Sequence, residues 1–245
     1  MSQPRPVPSP LARVVAYGGA VAFVASLLLF AVLYFSPSSF GRSAGPWSLA
    51  DGWRPALLDV ALFTAFALHH SLFARGPCKR LMSRLFSERL ERSAYVWIAS
   101  GAFAIVCLVW QPVPGLAWAT SGAGAAVLTA VQLAGGLLSL VAASRIGSLS
   151  LAGVQQARSD APEPPPQLSK SGLYGVVRHP IYFGWVLIVW ATPVMTGTRL
   201  VFAAISTAYL VAAIPFEERD LHRTFGPEYA AYSRLVRWRM VPGVY

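Results

Sequence analysis

From Ser93 to Ser144 the chain carries no charged side chain, and neither does the stretch from Val14 to Gly41. Runs this long cannot cover a water-soluble domain, in which about a quarter of the residues are charged. They match a bilayer instead, because roughly 20 apolar residues of helix span ~30 Å of hydrocarbon. The rest of the composition agrees: of 245 residues 55% are hydrophobic and 12% charged, and the mean hydropathy is +0.52. The chain is therefore an integral membrane protein that works in a lipid bilayer. Its net charge of +10 is no nucleic-acid footprint, because the basic residues sit in loops between apolar runs rather than along one face.

The expected architecture is an all-α membrane fold of about six transmembrane helices with a cytoplasmic C-terminal region that binds a cofactor. Residues 1–10 are a proline-rich lead of disordered composition. Residues 11–143 form a four-helix transmembrane region, with spans near 11–35, 55–74, 94–110 and 123–143. Residues 144–171 are a cytoplasmic linker stiffened by the proline cluster Ala161–Pro166. Residues 172–245 hold a hairpin of two short spans, 181–197 and 200–216, and a C-terminal polar segment. With the N-terminus inside, the inner segments carry 17 Lys and Arg and the outer loops only Arg42, Arg54 and Arg199. That asymmetry places both termini in the cytoplasm. Cys78 and Cys107 lie in unlike surroundings and imply no disulfide. Four dispersed histidines without a CxxC imply no metal site.

Two polar stretches interrupt this apolar background. The first, Ser169–Trp185, crowds Gly172, Tyr174, Gly175, Arg178, His179, Pro180 and Tyr182 against the start of a hydrophobic run. Pro180 suits the first turn of a helix, whose leading N–H groups have no partner within it and attract carboxylates. The second follows the last apolar run and contains Glu217, Glu218, Arg219, Asp220 and then Phe225, Gly226, Pro227, Tyr229 and Tyr232. Gly226 is expected to stop a helix and Pro227 to start a short amphipathic one, with Tyr229, Tyr232 and Val236 on one side. Each stretch has an ordinary reading: a helix-positioning loop, and an acidic cluster balancing nearby arginines. A hairpin of matched helices, however, returns its two ends to one face, where Arg178 and His179 meet Glu217 and Glu218 in one pocket. His69 and His70, near the end of the second span, are candidates for a base or a substrate contact, or a hydrogen-bonded helix-end pair.

Taken together, Gly172-x-Tyr174, Arg178-His179-Pro180-x-Tyr182-x-Gly184, Glu217-Glu218-x-x-Leu221 and Phe225-Gly226-x-x-Tyr229-x-x-Tyr232 resemble the isoprenylcysteine carboxyl methyltransferase superfamily. The likeness covers 169–245. Upstream, the segments 68–75, 91–96 and 190–196 are similar to the bacterial NnrU-like branch, which includes methanethiol S-methyltransferases. The resemblance implies S-adenosyl-L-methionine bound at the cytoplasmic face, held by Tyr174, His179, Pro180, Tyr182, Glu217 and Glu218, with His179 and Arg178 nearest the chemistry. It implies a small-molecule or lipid-like acceptor reaching the site from the bilayer of a bacterial inner membrane.

A thiol is the first choice of acceptor. Ala213 stands where prenylcysteine-modifying members carry an arginine, which makes a carboxyl O-methyltransferase the second. Methanethiol-methylating members tend to carry an acidic and aromatic segment before a Gly-Leu-Arg-Gln-like motif, and the comparable stretch here, Ser148–Gln156, lacks that charge, so both acceptors stay open. From another class, the rival is a non-catalytic membrane protein that keeps the scaffold alone. It would have no cofactor affinity.

Overall fold

The computed structural model describes residues 10–36, 40, 49–73, 88–147, 154 and 166–245. Most of the proline-rich lead, the basic segment 74–87 and most of the linker lie outside the described residues. Among the described residues there are seven α-helices: α1 Pro10–Phe35, α2 Leu49–Phe73, α3 Glu88–Val109, α4 Gly122–Arg145, α5 Pro180–Trp190, α6 Gly197–Phe225 and α7 Pro227–Leu235. Two short strands, β1 Leu116–Ala119 and β2 Val194–Thr196, pair antiparallel. The helical membrane class is as expected, with this small sheet added to it.

Among the described residues, four helices are long and apolar enough to cross a membrane: Ala12–Phe35, Leu90–Val109, Gly122–Arg145 and Gly197–Phe225. The expected hairpin of matched spans is not what forms. At 11 residues α5 reaches only about 16 Å, half the hydrocarbon thickness. It ends where Thr192-Pro193 follows, since a residue before proline is steered out of the helical region. By contrast α6 runs 29 residues, passing through Pro215 to Phe225, and so carries the acidic residues on the same helix as the apolar run.

The chain divides into two compact units. The first comprises Met1–Phe35, Ala61–Trp110 and Gly147–Pro166. Within it α1 packs on α3 around Ala16, Phe30, Val96, Phe103 and Val106, all buried. Glycines 18 and 19 leave room for the Trp97 ring, whose Nε1 donates to the Val15 carbonyl at 3.0 Å. Val14, Val21, Leu28 and Val32 on α1 stay exposed, as lipid-facing residues must.

The second unit comprises Ser36–Val60, Gln111–Ile146 and Gln167–Tyr245. Here α4 lies tightly against α5. A Cβ at Gly135 would come within 2.7 Å of the Gly184 carbonyl oxygen, and one at Gly184 would meet Ser139 and the Gly135 carbonyl. Small residues permit that approach, and two polar side chains exploit it. Gln132 Nε2 donates to the Ile188 carbonyl at 2.7 Å, and Ser139 Oγ to that of Ile181 at 3.1 Å. Gly184→Val is expected to cost roughly 2–3 kcal/mol through overpacking, seen as a lower melting temperature in detergent. Gly136→Val, where nothing lies within 4 Å of the new Cβ, serves as the comparison and is expected to be far milder.

At the far end of α6, Thr196 caps the helix by accepting from the Arg199 N–H, and Thr198 Oγ1 accepts from Val113 N at 2.9 Å. This fastens the 111–115 turn and the β1–β2 ribbon to the start of α6. At the other end Gly226, with φ of +53°, closes α6 and opens α7, as its position in the sequence predicts.

Candidate functional site

Gly172 adopts a φ of +62° and opens a single 3-10 turn, Gly172–Gly175. This turns Tyr174 inward, where its hydroxyl donates to the Ala142 carbonyl at 3.3 Å on α4. Its own carbonyl accepts from the Tyr232 hydroxyl at 2.7 Å. Burial pushes both phenols up to about 12, so they remain hydrogen-bond donors across the physiological range. They are struts tying the turn to α4 and α7.

The next residues are held by the tail of the chain. Val177 forms a parallel bridge with Trp238. Arg178 N then donates to the Trp238 carbonyl at 3.0 Å and His179 N to that of Arg239 at 2.7 Å. The tail from Val236 onward thus lies alongside the Arg-His-Pro segment as an irregular strap. Pro180 follows as the first residue of α5, where its missing N–H costs nothing.

Glu217 and Glu218, near the end of α6, face that segment. Arg178 Nε donates to Glu218 Oε1 at 2.7 Å, and Arg239 Nε lies 3.1 Å from Glu218 Oε2. Arg178 Nη1 also donates to the carbonyls of Ser233, Val236 and Arg237, at 3.3, 2.8 and 3.2 Å. With side-chain exposures of 8% and 10%, Arg178 and Glu218 form a buried pair at the C-terminal end of α7. Glu217 differs. Its side chain is 40% exposed, and Oε2 accepts from the Tyr182 hydroxyl at 2.7 Å.

Between the two carboxylates lies His179, 3.6 Å from Glu217 through Nδ1 and 3.5 Å from Glu218 through Nε2. Its ring stacks on Tyr182, with centroids 5.3 Å apart and planes 7° from parallel. The buried Nε2 has no hydrogen bond within the chain, and the same is true of the Tyr229 hydroxyl. Tyr229 and Tyr232 pack with Val236, as the spacing along α7 predicts. Tyr174, Arg178, His179, Pro180, Tyr182, Glu217 and Glu218 therefore come together in the second unit. His69 and His70 belong to the first, where His70 Nδ1 shares a 2.9 Å hydrogen bond with the Tyr95 hydroxyl.

Arg239 and Tyr245 were not among the expected site residues. Arg239 sits against Glu218, and its Nη1 donates to the Tyr245 hydroxyl at 3.0 Å. The Tyr245 ring packs with Tyr182 and Trp185 over Leu210, Ile214 and Met240. No periodicity marks an irregular strap. The available signal was the density of arginine and aromatic residues from Arg234 to Tyr245.

The donor set suits a polar ligand that carries hydrogen-bond donors and positive charge. It offers a half-exposed carboxylate for hydroxyl or amino donors, stacked rings for a cation, and two buried polar atoms without a hydrogen bond within the chain. Apolar helices that carry such a cluster define a membrane protein with a built polar site.

Comparison with known proteins narrows that class. The phospholipid methyltransferase family profile matches residues 125–228. A methanethiol S-methyltransferase of Pseudomonas deceptionensis is 40% identical, over 75% of this chain and 72% of the relative. One of Mycobacterium tuberculosis is 33% identical over 92% of this chain and 90% of its own length. A third, from Bradyrhizobium diazoefficiens, is 36% identical over 75% and 67%. No solved structure matches the chain. The chain belongs to the isoprenylcysteine carboxyl methyltransferase-type family, among relatives of the methanethiol S-methyltransferase kind, and is a membrane methyltransferase.

Proposed function

We propose that this protein transfers a methyl group from S-adenosyl-L-methionine to the sulfur of a small thiol such as methanethiol. The observation that carries the reading is the meeting of the two polar stretches. Tyr182 stacks on His179 and hydrogen-bonds Glu217, so one rigid group combines a carboxylate, an imidazole and an aromatic face. The kinship to methanethiol S-methyltransferases supports the choice of sulfur.

Glu217 would hold hydroxyl or amino donors of the cofactor, and the Tyr182 and His179 rings would face its cation. Tyr174, Pro180 and Glu218 shape the wall, since their polar atoms are already used or absent. When bound, the cofactor supplies an electrophilic methyl group. The thiol must lose its proton to attack, because a free thiol is mostly protonated near neutral pH. His179 is the proposed proton acceptor: its buried Nε2 has no hydrogen bond within the chain, whereas Nδ1 of His70 is bonded to Tyr95. Arg178, with its guanidinium committed to Glu218 and three carbonyls, is a positioning residue. Residues 172–245 make up this cofactor-binding region, on the cytoplasmic side of a bacterial inner membrane with both termini inside, as the Lys and Arg distribution supports.

Titration of the detergent-solubilised protein with S-adenosylmethionine and S-adenosylhomocysteine is expected to give saturable binding. Methyl-labelled cofactor with methanethiol is expected to yield labelled dimethyl sulfide. Labelling of carboxylate acceptors alone would overturn the thiol assignment. Absence of binding by a folded sample would overturn the cofactor assignment.

A further inference from the structure

Arg178 and Arg239 bracket Glu218 from two sides, yet their situations differ. The Arg178 side chain is 8% exposed and donates to a carboxylate and three carbonyls. Arg239 is 36% exposed, and its contacts are one carboxylate oxygen of Glu218 and the Tyr245 hydroxyl. A guanidinium has five N–H donors in a rigid fork, so those contacts leave donors on its exposed edge.

The aim of that edge is fixed from both ends. The Arg239 carbonyl accepts from His179 N at 2.7 Å, which sets its backbone beside the proposed base. The Tyr245 ring lies beneath the guanidinium, 5.4 Å from centroid to Cζ. Tyr245 is itself locked by a closed turn, with its carbonyl accepting from Met240 N at 2.8 Å and Val241 N at 3.1 Å. A preorganised, partly exposed guanidinium beside a carboxylate that Arg178 already pairs suits bidentate capture of a second carboxylate.

We propose that Arg239 receives the α-carboxylate at the amino-acid end of the adenosyl cofactor, and that Tyr245 positions its guanidinium. The assignment rests on the reading of the site as an S-adenosylmethionine site. It gives the tail of the chain two roles: backing the Arg-His-Pro segment, and supplying the cation that Arg178 cannot.

Two ligands separate the possibilities by calorimetry on the full chain in detergent. S-adenosylhomocysteine carries the amino-acid end, and methylthioadenosine has the same nucleoside and thioether without it. The wild-type protein is expected to bind the first more tightly. Arg239→Gln is expected to weaken S-adenosylhomocysteine about 10- to 30-fold and leave methylthioadenosine unchanged. Tyr245→Phe is expected to weaken only the former, a few-fold. Arg239→Lys keeps the charge against Glu218 and loses the fork. It decides the matter if the glutamine variant melts at a lower temperature, and is expected to show the same ligand-selective loss in smaller measure. Equal weakening of both ligands by Arg239→Lys, or unchanged affinity in every variant, overturns the inference while sparing the site. So does a wild-type protein that binds the two ligands equally, or an Arg239 variant that alters only the KM for the thiol. Wild-type protein that binds neither ligand overturns the reading of the site and this inference with it.

Discussion

Arg178→Ala is expected to destabilise the second unit by roughly 3–5 kcal/mol, the usual cost of removing one partner from a buried ion pair. The loss has two parts. Glu218, with only 10% of its side chain exposed, would keep Arg239 but lose its 2.7 Å partner. The carbonyls of Ser233, Val236 and Arg237 would lose a shared donor. These carbonyls lie at the end of α7, where a helix leaves its last acceptors unfilled and favours a cation. Arg178 is therefore a cap for α7 as well as an ion-pair partner, and its loss should free the tail from Val236 onward. Limited proteolysis should cut the variant within 236–245 under conditions where the parent resists, and its melting temperature in detergent should drop. Lysine at this position would not restore either property, because a point charge cannot reach a carboxylate and three carbonyls at once. An unchanged melting temperature and an uncut tail in Arg178→Ala would refute the role.

How much of this was legible in advance depended on the kind of signal. Uncharged runs revealed α1, α3, α4 and the apolar part of α6, because burial in lipid forbids charge all round a helix. The juncture of Arg178 and His179 with Glu217 and Glu218 was also legible, although the expected route to it was wrong. Two equal spans do not bring the stretches together. A short α5 and a long α6 do, with α6 carrying its acidic residues beyond its apolar part. Pro193 was the signal that shortens α5, while α6 continues through Pro215 to the stop expected at Gly226. The least legible part was the strap. Its bonds to Arg178 N and His179 N come from main-chain carbonyls of Trp238 and Arg239, and a carbonyl has no residue-type signature. For the same reason the role of Arg178 could not be read from sequence. The Arg-His-Pro motif advertises a cation, and three of the acceptors it meets are main-chain atoms.

Glu217→Ala is expected to lower affinity for S-adenosylhomocysteine by roughly 100-fold or more, the worth of two hydrogen bonds to a charged group, with little change in stability. The contrast with its neighbour makes this a sharp test. Glu218 is buried and paired with cations, so its removal would damage the fold and the site together. Glu217 is 40% exposed and its hydrogen bond is to Tyr182, so loss of that bond should cost only about 1 kcal/mol of stability. Far-ultraviolet circular dichroism and the melting temperature should stay near those of the parent while calorimetric binding collapses. Glu217→Gln separates charge from shape. The amide still accepts from Tyr182, so a deep loss of affinity in this variant too would assign the effect to the anionic carboxylate. Tyr182→Phe tests the other half of the group: it keeps the stacked ring on His179 and removes the hydroxyl that steers Glu217, and is expected to weaken binding only several-fold. Retained affinity in Glu217→Ala would mean that the exposed carboxylate does not touch the cofactor, and the centre of the site would then have to be sought between His179 Nε2 and the buried Tyr229 hydroxyl.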